Sequence, residues 1–320
     1  MSSVISDHHF HDEKAAYDYV EARIWPNGPT CPHCGNADAS RIRLMAGKST
    51  RIGVRQCNEC RKPFTVKVGT IFESSHVPLR LWLQAIHLVC SSKKGISANQ
   101  LHRILGVTLK TAWFMSHRIR EAMRDGGLSP LGGGGGTVEI DETVFGRIEG
   151  APKKLGKGRS SFRNVALTLV ERGGSARSFH VDGATIASMK PIIQANVARE
   201  ANIVTDEWTA YSEIGRDFAS HDTVNHGREE YVRREGDKVV TTNTVEGFYS
   251  IFKRGMKGIY QHCKEKHLHR YLAEFDFRYS NRVRLGLNDV ARADRALKGT
   301  VGKRLTYQTT NRAPSQTSAT

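Results

Sequence analysis

Two C-x2-C pairs set the first limit on this chain. Cys31-Pro-His-Cys34 and Cys57-Asn-Glu-Cys60 stand 22 residues apart, and each pair turns tightly enough to aim two thiolates at one point. Four thiolates suit one tetrahedral zinc ion. The other use of such pairs is two disulfides, which belong to exported proteins. The opening stretch, MSSVISDHHFHDEK, has neither the basic start nor the apolar core of an export signal, so a cytoplasmic chain with structural Zn2+ on Cys31, Cys34, Cys57 and Cys60 is expected. Residues 41–43 and 53–56 alternate like short strands, which predicts a zinc ribbon within residues 1–75.

The next segment changes period. Leu79, Leu83, Ile86 and Val89 recur at helical spacing after Pro78, which suits a first helical turn. Residues 97–106 read as a short helix ending on Gly106, and Thr108 as the N-cap of a second helix reaching about Met123. That second helix carries Lys110, His117, Arg118 and Arg120. Two short helices around a glycine turn describe either a helix-turn-helix with a basic recognition helix, over residues 76–126, or a plain helical hairpin. Gly132 to Gly136 then form a run that regular structure holds only at a high entropic cost, so residues 127–136 are expected to be a flexible tether between domains.

Charge narrows the partners. The 320 residues hold 48 Lys plus Arg against 32 Asp plus Glu, a net charge of +16, which suits a polyanion such as nucleic acid or an anionic membrane surface. No apolar stretch approaches the roughly 20 residues a membrane-spanning helix needs. Hydrophobic residues at 38% are enough for a core, and 320 residues leave room for two or three domains.

Beyond the glycines the pattern predicts strands at 137–145, 162–171 and 176–181, a helix at 185–199, a strand at 202–205, a helix at 208–214, a strand near Thr223, and helices at 243–256 and 265–279. Three strands, helix, strand, helix, strand, helix is the order of the ribonuclease H-like fold, here over residues 137–285. Three acids lie on separate elements of that series. Asp141 sits inside the first strand, where a carboxylate is costly to bury without a cation. Asp206 ends the strand at 202–205, and Glu246 opens a helix. Carboxylates from three elements are what a pair of divalent ions needs; singly, each acid also fits a salt bridge or a helix cap.

The segments Val138-Glu-Ile-Asp-Glu-Thr143, Val204-Thr-Asp-Glu-Trp-Thr-Ala-Tyr211 and Asn243-Thr-Val-Glu-Gly-Phe-Tyr-Ser-Ile-Phe-Lys-Arg254 resemble the signatures of bacterial insertion-sequence transposases of the ISXO type, relatives of the Merlin elements. The resemblance spans roughly residues 15 to 285, zinc ribbon included, and Lys110-Thr-Ala-Trp-Phe-Met-Ser-His-Arg-Ile-Arg-Glu-Ala-Met123 looks like the family's helix-turn-helix. It implies an α/β enzyme, a ribonuclease H-like DDE domain preceded by a zinc ribbon and a helix-turn-helix. Asp141, Asp206 and Glu246 would be its catalytic acids and would hold two Mg2+ or Mn2+ ions for DNA cleavage and strand transfer. His226 also matches a family position, either beside a carboxylate or DNA, or as a hydrogen-bonded structural residue.

Double-stranded DNA, at element ends and target, is then the partner, with no membrane and with a homodimer or larger synaptic assembly. Lys253 and Arg254, two turns beyond Glu246, and the loop residues Lys153, Lys154, Lys157 and Arg159 suit phosphate contacts, as do Lys110 and Arg118 in the reader. A non-enzymatic DNA-binding regulator, or a domesticated transposase, is the alternative. The tail, residues 286–320, is expected to be partly disordered.

Overall fold

The computed structural model describes residues 3–124, 126–146, 164–236 and 238–306. The described residues fall into two compact units, one from 3–86, 98–122 and 297–306, the other from 87–97, 123–124, 126–146, 164–236 and 238–296.

In the first unit, α1 (Glu13–Ile24) starts on Asp12, whose carboxylate accepts the N–H of Ala15 at 2.7 Å. Three short strands follow, β1 (Ile42–Leu44), β2 (Arg55–Cys57) and β3 (Pro63–Phe64), antiparallel in that order. They are the ribbon the cysteine spacing predicts. The next helix, α2 (Leu79–Ser91), receives its N-terminal cap from a distant residue. The Glu13 carboxylate accepts the N–H groups of Leu79 and Arg80 at 2.6 and 3.2 Å. Then α3 (Ala98–Leu105) and α4 (Leu109–Ala122) meet at Gly106, whose φ of +65° is easily reached only without a side chain. Thr108 caps α4 by accepting the N–H of Thr111.

One expectation for α4 is corrected here. Arg118 does not face outward: it is 6% exposed, and its guanidinium donates to the carbonyls of Ile71, Glu73 and Leu305. His117 and Arg120 are buried as well, whereas Lys110 is exposed. Helical spacing shows which residues share a face, and only packing shows which face is inside.

The second unit is built on a five-stranded sheet in the order β6-β5-β4-β7-β8, formed by β4 (Thr137–Phe145), β5 (Asn164–Glu171), β6 (Ala176–Val181), β7 (Asn202–Asp206) and β8 (Ser220–Val224). The first three are an antiparallel meander, and β7 and β8 run parallel to β4. Helices α5 (Ile186–Asn196) and α6 (Thr209–Ile214) make the parallel crossovers. A hairpin of β9 (Arg233–Glu235) and β10 (Lys238–Val240) precedes α7 (Asn243–Gly255), and α8 (Leu268–Ser280) follows.

The sheet has two faces with separate cores. Val138, Ile140, Leu167 and Ile203 pack with Met189 and Ile193 of α5 and Tyr211 of α6. Ala166 and Val170 pack with Val245, Phe248, Tyr249 and Phe252 of α7 and Leu272 and Phe275 of α8. Alternation along β4 therefore sends Glu139 and Asp141 toward the α7 face and Glu142 toward the α6 face.

One further expectation changes. The glycine run is not a tether: Gly132 N–H donates to Glu171 at 3.0 Å, Gly136 N–H to Gly132 O, and Asn202 N–H to Gly136 O, while Leu131 bridges Val197. A Cβ on Gly132 would lie 2.6 Å from the Ala201 Cβ and 2.8 Å from a Val138 methyl, so glycine is required there for close packing. The tail is ordered over α9 (Asp289–Lys298). In it, Arg292 donates to Cys90 O at 2.9 Å and Asn281 O at 2.8 Å while pairing with Asp289. Lys153, Lys154, Lys157 and Arg159 lie outside the described residues.

Candidate active site

Strand register brings the first two acids together. β4 and β7 pair in parallel with Thr137 opposite Asn202 and Glu139 opposite Val204. Two residues further along the same register, Asp141 falls beside Asp206 on one face of the sheet. Asp206 ends β7, where side chains leave the edge of the sheet, while Asp141 stands in the middle of β4, two residues past its last pairing with β7. The third acid, Glu246, comes from the first turn of α7, the helix packed on that face.

Electrostatics shows that the acids share a field. The Asp141 carboxyl is pushed up to about 7, first by burial and then by the charges of Glu142, Asp206 and Glu246, against one stabilising N–H from Glu142. Like charges gathered in a half-buried crevice are a standing cost unless a cation offsets them. Oxygen donors of this kind suit Mg2+ or Mn2+. The carboxylates are not closed into a single-ion cage. Among the described residues the only such close group is the set of four cysteines.

Neighbours fix each acid. Tyr249 of α7 donates its hydroxyl to the Asp141 carbonyl at 2.7 Å and to the Ala166 carbonyl at 2.9 Å, which anchors β4 and β5 to the helix. The Asp206 carboxylate accepts the N–H of Trp208 at 3.1 Å. Glu246 Oε1 accepts the Thr242 hydroxyl at 2.8 Å and has His226 Nε2 at 3.4 Å. His226 is itself held by backbone: its N–H and that of Gly227 donate to Glu207. Glu142, on the other face, accepts the Tyr211 hydroxyl, and burial raises its carboxyl despite that bond.

On the outer side of α7, Lys253 and Arg254 are exposed, as is Lys257 in the π-helical turn that follows. The Lys253 ammonium lies 5.8 Å from the centre of the Tyr249 ring. Phe248, Tyr249 and Phe252 are buried packing residues.

Sequence reasoning missed a residue beside these. Glu139 is fully buried, and its carboxylate accepts hydrogen bonds from Arg172, Thr244 and Val245. The signal available was its position two residues before Asp141 in an alternating strand, which puts a second acid on the same face.

The cysteine cluster is a separate centre. The four Sγ atoms lie within 4.8 Å of one another, with Cys31 3.7 Å from Cys60 and Cys34 3.7 Å from Cys57. Backbone N–H groups of Cys60 and Glu59 pull the Cys57 thiol down to about 6, and the Asn36 amide adds to that. Cys34 goes the other way, to about 12: the Asn36 N–H favours its thiolate, but burial and the neighbouring sulfurs outweigh it. Four sulfurs at this separation ionise together only around a cation, and the arrangement suits a structural Zn2+.

Residues 133–280 match the ISXO2-like transposase domain, and residues 11–63 match the transposase zinc-ribbon domain. The chain carries an ISXO2-like transposase domain behind a transposase zinc ribbon. It is also 28% identical over 284 residues to the uncharacterized protein in transposable element ISH50 of Halobacterium salinarum, a match covering 84% of this chain and 91% of that relative. In this transposase the matched zinc-ribbon span contains all four cysteines, and the matched transposase domain contains Asp141, Asp206 and Glu246. Among the described residues no helix is long and apolar enough to cross a membrane.

Proposed function

We propose that this transposase cuts DNA at the terminal inverted repeats of an insertion sequence and joins the freed ends to target DNA, with Asp141, Asp206 and Glu246 as its catalytic acids. The observation that carries this reading is the crevice itself: two acids in register on adjacent parallel strands, a third from the helix above them, and an Asp141 carboxyl pushed up to about 7 by burial and its neighbours. The strand order supports a ribonuclease H-like domain. Mg2+ or Mn2+ held by the three acids would neutralise phosphate charge and make the attacking hydroxyl more nucleophilic.

The protein's own groups supply position. Thr242 and His226 orient Glu246, and Tyr249 fixes the backbone of Asp141. Lys253 and Arg254, exposed on α7, hold DNA phosphates beside the crevice, as point charge and fork respectively. The ribbon, with α3 and α4 as a helix-turn-helix presenting Lys110, reads the repeats. Two element ends processed together call for a homodimer or larger assembly on DNA in the cytoplasm.

The test is cleavage and joining of end-bearing and scrambled duplexes in Mg2+ or Mn2+ at fixed salt. Activity specific for cognate ends, lost in Asp141→Ala, Asp206→Ala and Glu246→Gln while binding persists, is the expected result. Full activity in all three variants overturns it, and binding with no cleavage by wild type would mark a regulator instead.

A further inference from the structure

The first turn of α7 is capped by a residue far away in sequence. A helix leaves its first four N–H groups without partners inside the helix, and a Ser or Thr at the N-cap commonly serves one of them. Thr242 occupies that position here, but its hydroxyl makes no cap bond. It donates to Glu246 instead. The N–H of Asn243 goes to Thr241 Oγ1, and that of Glu246 makes the first bond of the helix itself, to Thr242 O. The two between, from Thr244 and Val245, go to Glu139 Oε2 at 2.7 and 3.0 Å.

The other Glu139 oxygen is committed as well. Oε1 accepts the Thr244 hydroxyl and Arg172 Nε, both at 2.7 Å. Arg172 continues outward, donating to the carbonyls of Val239 and Thr241 at the exit of the β9–β10 hairpin. A carboxylate with no exposed surface thus ties strand β4, the β5–β6 turn, the hairpin exit and the start of α7 into one network.

We propose that Glu139, with Arg172 behind it, is a positioning residue for the third acid. Asp141 stands two residues from Glu139 on the same strand, and Glu246 stands one residue beyond the N–H groups that Glu139 holds. The network therefore sets the distance between two metal-holding carboxylates. By taking over the cap it also leaves the Thr242 hydroxyl for Glu246. Losing it lets the first turn of α7 fray, so that Glu246 reaches the metals from many positions. The inference rests on the catalytic reading above for what Glu246 does, but its geometry is independent of that reading.

Glu139→Gln in the full-length protein is the direct test, since the amide keeps the volume but turns a donor toward either the helix or Arg172. Two readouts are needed: amide hydrogen exchange at Thr244 and Val245, and Mn2+ binding followed by loss of the free-ion spin-resonance signal. Protection at both amides should fall at least tenfold and half-saturating Mn2+ should rise about tenfold, with cognate DNA binding unchanged. Unaltered exchange and Mn2+ affinity would overturn the inference.

Should Glu139→Gln fail to fold, Thr244→Val removes one hydroxyl donor and leaves both backbone bonds. It should raise half-saturating Mn2+ about twofold to threefold, and no change there overturns the proposal. Wild type that neither binds Mn2+ nor cuts DNA sinks the catalytic reading instead. Exchange at Thr244 and Val245 then still decides whether Glu139 holds the helix.

Discussion

The cysteine cluster and the acidic crevice are two metal-suited centres built in opposite ways. The cysteines come in two tight knuckles, and backbone N–H groups within the second one favour its thiolate. The acids come from two strands and a helix, and only the tertiary fold brings them near one another. A site made from local turns is carried by short sequence spacing. A site made from long-range register is as good as the sheet and the helix cap that define it. The first centre should therefore decide whether its region folds, and the second whether a folded protein can react.

The widest test of that contrast is metal removal from the ribbon. Structural zinc contributes on the order of 10 kcal/mol to small domains, so strong chelation, or Cys57→Ser, should unfold the ribbon and abolish recognition of cognate ends. Heteronuclear NMR of residues 31–64 would read this, and a native spectrum in the apo protein would break the comparison. Asp206→Asn should behave differently. Cleavage should drop by about a thousandfold or more while circular dichroism and end binding stay at wild-type levels.

The crevice should also respond to pH. With Asp141 pushed up to about 7, metal must displace a proton below that value. Half-saturating Mn2+ should then rise by about tenfold per pH unit below 7 and level off above it. The stability sign follows from the same shift. A carboxyl raised in the fold favours the folded state while protonated, so in metal-free protein this contribution is full below the ordinary carboxylate range and is lost as pH rises to about 7. Asp141→Asn should therefore make the metal-free protein more stable than wild type at pH 8, by at least about 1 kcal/mol, although it abolishes cleavage. Urea titration at pH 8 checks this, and a destabilised variant would show that the crevice carries no electrostatic strain. The smallest effect belongs to Lys253→Ala, with DNA affinity a few fold lower and a salt slope reduced by about one, read by fluorescence anisotropy.

Much of this was legible in the sequence for a physical reason. The knuckles are local, and the alternating and helical periods from Thr137 to Tyr279 gave the element order because the sheet buries both faces and the helices one. Asp141, Asp206 and Glu246 stood out because each interrupts an apolar element. Arg118 was misjudged because a charge pattern does not show that three carbonyls wait inside for a guanidinium. α9 was missed because its anchor is again a buried arginine, Arg292. Glu139 was overlooked because its partners at 244 and 245 lie more than a hundred residues on, and no local rule connects them.

The packed glycines have a consequence for anyone dividing the molecule. A polyglycine run invites a cut, and a catalytic fragment started at Thr137 would look clean on paper. Such a fragment lacks the Leu131 bridge to Val197, the Gly132 bond to Glu171 and the Gly136 carbonyl that Asn202 uses, and so begins with the entry to β4 and β7 unfastened. Gly133 and Gly134 face open space and could take added length, but Gly132 leaves no room for even one methyl group, so the two ends of the run stay fixed. What looks like slack in the chain is a rivet.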